Sequence, residues 1–312
     1  MASSINWGTL QELVLNESIS EIMVNSYNQI FFELDGQLFQ HNESFKTPDE
    51  FQQLIEQITA AKETFLNRDK PFLELQFEKH RITLTYSELS IHSTLLCMRR
   101  IGLNISDLNE LTKNSWCTYE QMQIIQQALK RKDNILIIGG TSSGKSTLLQ
   151  ALLNWINKDE RVVIIEDTEE LKAPNDVSVQ LLCRQKINEQ LDFIGYEQLI
   201  KHSLRLRPDR LVLGEVRGSE AYNFLLALSS GHSGSLGSMH AKNAREALLK
   251  LEMLVQLGAP QWSYQSIRRL ISLSLQTIIV VEKKNGLRQL KEIAHISSLE
   301  EHSITLEQAA LN

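Results

Sequence analysis

The chain is short of several things that would have decided its class at once. Its 312 residues include three cysteines, Cys97, Cys117 and Cys183. They are too few and too widely spaced for a disulfide framework or a zinc-ligand pattern, which fits a reducing cytosol. No apolar run reaches the ~18–20 residues of a transmembrane helix. Any membrane association is therefore expected to be peripheral or through a partner. The start, Met1-Ala2-Ser3-Ser4-Ile5-Asn6-Trp7, has no basic n-region and does not read as a signal peptide. Positive charge is not in excess: 32 Lys and Arg face 38 Asp and Glu, a net charge of −6. Phosphate-backbone binding needs a basic face, so nucleic acid is not expected as the main partner. No Gly/Ser-rich linker and no internal repeat divides the chain. The hydrophobic content is 42% and the charged content 22%, enough to bury the cores of two domains.

Residues 1–103 read as a smaller α+β domain. Gln29–Leu34 is strand-like, and Asp35-Gly36 signals a hairpin turn because its central positions need φ > 0. Thr47-Pro48-Asp49-Glu50 has the form of a capping box, and Phe51, Leu54, Ile55, Ile58 and Phe65 follow at helical spacing. Phe72–Phe77 and Arg81–Tyr86 alternate like half-buried strands. A polar stretch makes 104–116 the expected interdomain linker. The second domain, 117–312, opens with another capping box, Thr118-Tyr119-Glu120-Gln121. Aliphatic runs at 134–138, 161–165, 211–213 and 277–281 then alternate with helical stretches, the last of them Ala244–Leu257. Runs without polar alternation imply a mostly parallel sheet covered on both faces. Asn285-Gly286 is expected to turn a final hairpin.

The first of these runs leads into Gly139-Gly140-Thr141-Ser142-Ser143-Gly144-Lys145-Ser146, and a helical stretch from Ser146 and Thr147 leaves it. This is the phosphate-binding loop G-x-x-x-x-G-K-[ST] in its strand–loop–helix setting. Backbone N–H groups converge on phosphate oxygens there, and the helix N-terminus adds partial positive charge. Lys145 can reach the β- and γ-phosphates of ATP, and the Ser146 hydroxyl can join the shell of Mg²⁺.

Ligands of open parallel sheets gather at the carboxyl ends of strands. The run at 161–165 ends in Glu166-Asp167-Thr168, and that at 211–213 in Gly214-Glu215-Val216-Arg217-Gly218. Gly231-His232-Ser233-Gly234-Ser235, running on to Ser238-Met239-His240, is expected to bring two histidines to the same edge. A carboxylate beside the γ-phosphate can orient the attacking water or hold the metal. Glu215 is the first choice for that role and for a place at the metal with Ser146. Glu166 is the rival for activating water, with Asp167 in support. His240 is placed to sense the γ-phosphate, and His232 to organise the loop beside the nucleotide.

These segments, together with Leu204–Ala221 and Gly231–Ala241, resemble the type II/type IV secretion-superfamily ATPases, most closely their CpaF (Tad pilus) branch. The four signatures of that family are the Walker A loop, aspartate box, Walker B and histidine box, and all stand here in order. The likeness is strong over about residues 113–296. It implies a RecA-like P-loop domain preceded by a small N-terminal domain, and a Mg²⁺-dependent ATP hydrolase working as a homo-hexamer. Such rings lie in the cytoplasm against an inner-membrane platform protein of a pilus or secretion machine. The likeness is looser in the first half, through Ser18–Asn25 and Met98-Arg99-Arg100. It implies that Arg99 and Arg100 help complete the nucleotide site, and that Arg184 and Arg205 lie on the phosphate side. The tetracysteine zinc module of many type II secretion ATPases is absent. So is the Ala-Ile-Arg-Ala-Gly motif of retraction ATPases. The alternatives are a hexameric nucleic-acid translocase on the same core, a small-molecule kinase, and a scaffold that binds nucleotide without hydrolysis.

Overall fold

Strands made of unbroken aliphatic runs need cover on both faces, and the second half of the chain supplies it. A computed structural model describes residues 5–34, 36–91, 93–101, 107–184, 193–284, 286–299 and 303–310. Two compact units divide it, Met1–Leu103 and Asn104–Asn312.

The first unit holds a six-stranded antiparallel sheet of β1 (Ile19–Ser26), β2 (Gln29–Leu34), β3 (Gln37–Gln40), β4 (Phe72–Phe77), β5 (His80–Thr85) and β6 (Leu95–Arg100). Their order is β3-β2-β1-β6-β5-β4. A short helix, α1 (Gln11–Leu15), precedes the sheet, and α2 (Pro48–Ala60) covers one face. Phe51, Leu54, Ile55 and Ile58 of α2 share a core with Ile22, Val24, Ile82, Leu84, Leu96 and Met98. Thr47 caps α2 through the Glu50 N–H, as the motif implies, but the Glu50 carboxylate accepts from the Lys46 N–H at 2.7 Å rather than from Thr47. Phe65 is not on the helix face. The chain turns off at Glu63, whose φ is 51°, and Phe65 is 65% exposed. Its spacing from Ile58 was a whole number of turns only by coincidence. Gly36 has φ 80° between β2 and β3, while Asp35 lies outside the described residues.

The second unit starts within the stretch read as a linker. Residues 102–106 lie outside the described residues, but Leu108–Lys113 forms α3, capped by Asp107, with Leu108 and Leu111 buried. The polarity of the stretch hid these two apolar positions three apart. After α4 (Tyr119–Arg131), capped by the full box of Thr118 and Gln121, come β7 (Ile135–Gly139), α5 (Lys145–Asn154), β8 (Val162–Glu166) and β9 (Val179–Leu182). The chain continues through α6 (Tyr196–Ser203), β10 (Arg210–Leu213), α7 (Glu220–Ser229), β11 (Leu236–Met239), α8 (Ala244–Gly258) and α9 (Tyr264–Ser274). It closes with β12 (Thr277–Lys284), β13 (Leu287–Leu299) and β14 (Ile304–Gln308).

These strands form one eight-stranded sheet in the order β14-β13-β12-β7-β11-β10-β8-β9. The neighbours from β12 to β9 pair in parallel, and β13 and β14 are antiparallel additions. Alternate residues serve the two faces. Ile135, Ile137, Ile164 and Val212 pack with α3, α4 and α5, while Leu136, Ile138, Ile165 and Leu213 pack with α6 to α9. The fold is therefore a mixed α/β, RecA-like one, with a smaller α+β unit before it. Gly286 has φ 81° in the β12–β13 hairpin, and Asn285 lies outside the described residues.

The amino-terminal edge of the sheet carries a structural ion cluster. The buried Arg210 guanidinium donates to both oxygens of Glu160 and to the Gly234 carbonyl, and Lys132 pairs with Glu160 at 3.0 Å. Arg210 and Lys132 hold the Glu160 carboxyl below the usual carboxylate range against the opposing effect of burial. Its stabilisation is thus present above the ordinary carboxylate pKa and is lost as pH falls through the depressed value. Glu160→Ala leaves Arg210 buried without its acid and is expected to cost about 3 kcal/mol in urea unfolding of the full chain. Lys132→Ala, at a half-exposed cation, is expected to cost less than about 1 kcal/mol in the same titration.

Candidate functional site

Close packing sets the shape of the phosphate loop. Gly139 ends β7 where a Cβ would collide with the Val281 carbonyl and the Ser143 hydroxyl. Gly144 has φ 98°, and a Cβ there would strike the Trp116 ring. Ser142 sits in the left-handed region at φ 58°, and its carbonyl accepts from Arg288 Nε at 3.3 Å. Ser143 Oγ donates to the Gly140 carbonyl at 2.9 Å. Thr141 is exposed and Thr147 half-buried in the first turn of α5.

The buried Lys145 donates to the carbonyls of Gly139 (3.2 Å) and Gly140 (2.9 Å) and lies 3.3 Å from His240 Nδ1. His240 follows β11, the neighbour of β7. Burial and the Lys145 cation hold its imidazole below its ordinary pKa. A neutral ring accepting from Lys145 at Nδ1 carries its proton on Nε2, which lies 3.0 Å from Glu215 Oε1. The other Glu215 oxygen accepts from Arg217 Nη2 at 2.5 Å, and Arg217 Nη1 reaches Asp167 Oδ2 at 2.7 Å. Lys145, His240, Glu215, Arg217 and Asp167 thus form one chain of polar contacts across the carboxyl ends of four neighbouring strands.

Glu166 has a different setting. It is 4% exposed, and its carboxyl accepts from the N–H groups of Glu170 and Leu171. Burial pushes its pKa to about 8, only partly opposed by those two amides. Its oxygens shape the loop after β8, and that loop delivers Glu170 to Ser146. The Ser146 hydroxyl donates to Glu170 Oε2 at 2.7 Å.

Two expected residues of this unit, His232 and Arg205, are not brought to this edge. His232 precedes β11, and the next residues pair with the start of β7: Ser235 N–H donates to Asn134 Oδ1. His232 therefore lies at the amino-terminal edge of the sheet, opposite the phosphate loop, with Nδ1 on the Ala227 carbonyl at 3.0 Å. The expectation that it stands beside the nucleotide is corrected within this chain; the strand follows the histidine rather than leading into it. Arg205 is exposed before β10 and lies toward that same far edge. Arg184 follows β9 and bridges to Ile194, beside residues outside the described set. In the first unit Arg99 is exposed on β6. Arg100 donates to the carbonyls of Ile19, Val14 and Asn16, tying β6 to the first strand and helix.

Sequence reading passed over Glu170, Arg217 and Glu220. Each lies within a few residues of an assigned group, and only the fold shows where its side chain goes. Among the described residues no three Asp, Glu, His or Cys side chains converge on a metal position. The hard oxygens of Ser146, Glu170 and Glu215 suit Mg²⁺, which keeps several waters and needs one or two protein ligands beside phosphate.

Comparison with known proteins extends the picture. A family model described as type II/IV secretion system protein matches residues 6–285. A putative conjugal transfer protein of Mycobacterium tuberculosis is 27% identical over 301 residues, covering 94% of this chain and 85% of the relative. The type IV secretion system protein VirB11 of Bartonella henselae is 36% identical over 171 residues, covering 54% of this chain and 48% of the relative. Among solved structures, the pilus retraction motor PilT with bound ADP aligns at TM-score 0.64 and 19% identity over 91% of this chain and 80% of its own. The ATPase DotB of Yersinia pseudotuberculosis aligns at TM-score 0.67 and 14% identity over 96% and 83%. At those identities the structures support the fold.

The raised pKa of Glu166 has a stability consequence. Its folded value lies above the ordinary 4.5. Its contribution is therefore fully present below that ordinary value and is lost as pH rises through the folded one. Glu166→Gln, neutral throughout, is expected to flatten the fall in thermal midpoint between about pH 5 and pH 8. An equally steep fall in the variant would show that Glu166 is ionised in the folded chain.

Proposed function

Because this chain belongs to the type II/IV secretion system protein family, we propose that it is a Mg²⁺-dependent ATPase that drives a type II/IV secretion or Tad/Flp-like pilus machine. The observation that carries the reading is the contact of Lys145 with His240 and of His240 with Glu215. It places a phosphate-loop lysine, a histidine and a carboxylate on one edge of the sheet, where the γ-phosphate of a bound nucleotide would end.

In this reading Lys145 exchanges the Gly139 and Gly140 carbonyls for the β- and γ-phosphates. Loop amides and the α5 N-terminus receive the remaining phosphate charge. Ser146, with Glu170 or Glu215, would hold Mg²⁺, which would supply charge neutralisation at the phosphates. Glu215 orients the attacking water, and its contact with His240 makes it sensitive to what Lys145 binds. Glu166 is the weaker candidate for that task, because two amides of its own loop occupy its oxygens. Of the two N-terminal arginines, Arg99 is the better candidate for a phosphate-side role, since three carbonyls hold Arg100. The working unit is a homo-hexamer, peripherally associated with the inner membrane through a platform protein, with hydrolysis moving the N-terminal domain. No helix among the described residues is long and apolar enough to cross a membrane.

Two variants test this directly by phosphate release and fluorescent-nucleotide binding. Glu215→Gln is expected to retain ATP binding and lower turnover by about 100-fold or more. Lys145→Ala is expected to impair both. Parent-like turnover of Glu215→Gln would remove Glu215 from the chemistry. Stimulation of turnover by DNA, with none by a membrane platform, would favour the translocase reading instead.

A further inference from the structure

Arg217 stands where carboxylates from two different strands meet. Its Nη1 is 2.7 Å from Asp167, beyond β8, and its Nη2 is 2.5 Å from Glu215, beyond β10. Its backbone is pinned as well. Glu220 Oε1, at the start of α7, accepts from the N–H groups of Arg217 (2.6 Å) and Gly218 (2.7 Å). Glu220 is buried, and a Cβ at Gly218 would press on its other oxygen at 2.9 Å. A buried carboxylate thus fixes the point from which the guanidinium emerges.

Stability does not account for this arrangement. The Arg217 side chain is 49% exposed, and ion pairs that open to solvent contribute little. The geometry does something else. Each Glu215 oxygen has its own donor, Arg217 on Oε2 and His240 on Oε1, so the carboxylate is held in one rotation. The planar fork of arginine suits such a bridge, because its two terminal nitrogens diverge toward two acceptors. Tyr196 of α6 and Cys183 beyond β9 lie within electrostatic reach of the Asp167–Arg217 pair. Burial first, and then the Asp167 charge, pushes the pKa of both upward.

We propose that Arg217 is a positioning residue for turnover: it sets the rotation of Glu215 toward His240 and ties that carboxylate to Asp167. The ends of β8 and β10 then present their acids as one unit. The inference rests on the hydrolytic reading above, in which Glu215 orients water.

The test is steady-state and single-turnover ATP hydrolysis, with fluorescent-nucleotide affinity, on the full chain. Five proteins are compared: the parent, Arg217→Gln, Arg217→Lys, Glu215→Gln and the Arg217→Gln/Glu215→Gln double variant. Arg217→Gln is expected to lower kcat by about 10- to 100-fold and leave nucleotide affinity within about twofold, as loss of a supporting contact does. Arg217→Lys restores part of the rate, since an ammonium can hold one of the two carboxylates closely. In the Glu215→Gln background the same substitution costs no more than about twofold, because the group it positions is gone. Parent-like kcat for Arg217→Gln overturns the inference, as does an equal fold loss in the Glu215→Gln background. A parent that hydrolyses no ATP overturns the hydrolytic reading and this inference with it. An active parent unaffected by Arg217→Gln overturns this inference alone.

Discussion

Everything at the candidate site depends on neighbouring strands running the same way. The register places Val281 beside Gly139, Met239 beside Ile138, Leu213 beside Ile165 and Glu166 beside Leu182. Strand spacing of about 4.8 Å then brings side chains from adjacent ends into contact. Lys145 and His240 touch although they are 95 residues apart in sequence. An antiparallel arrangement would have sent alternate loops to the opposite edge and broken the chain from Lys145 to Asp167. The Gly139 backbone, pressed against the Val281 carbonyl, is the tightest expression of the same constraint. The phosphate loop can leave the sheet there only because nothing projects from its first residue.

The two edges of that sheet use charge differently. At the amino-terminal edge Arg210 is buried and satisfied by the two oxygens of Glu160 and the Gly234 carbonyl, and Ser235 and Asn134 lock β11 to β7. Such a cluster is costly to disturb, because its guanidinium is buried among its acceptors. At the carboxyl-terminal edge Arg217 and His240 are about half exposed, while Glu215 is mostly covered. Their contacts can be exchanged at small cost, as the proposed uptake and release of phosphate would require. Burial, rather than the mere presence of charge, separates the stabilising edge from the candidate functional one.

Much of the fold was legible because unalternating runs such as Ile135–Ile138 can hardly be anything but doubly covered strands. The phosphate loop was legible because its glycines and Lys145 stand between such a run and a helix. The segment holding His232 misleads, because its pattern does not say which end of a strand each histidine flanks. Strand β11 begins after His232 and finishes before His240, so one histidine reaches the site edge and the other the far edge. Phe65 misled because periodicity carries no information about where a helix stops; the turn at Glu63 decided that. Glu170 and Arg217 were invisible for a third reason. Both lie in loops, where no period tells the direction of a side chain, and both are placed by a buried carboxylate binding backbone amides, Glu166 for one and Glu220 for the other.

That shared device explains how loops can carry an ordered site. Glu166 accepts from the amides of Glu170 and Leu171, and Glu220 from those of Arg217 and Gly218. Each buried acid folds a turn whose next side chain faces the phosphate-loop edge. One such side chain meets Ser146 and the other meets Glu215. In the proposed site, phosphate drawing Lys145 from the loop carbonyls would also change what His240 Nδ1 faces, and His240 Nε2 contacts the carboxylate that Arg217 holds. The buried acids keep their amides through that exchange, because an amide left unpaired in the core costs more than a new surface hydrogen bond returns. Under that reading the loops would keep their turns while the groups they present change partners, so a fixed sheet edge could respond to a ligand without refolding.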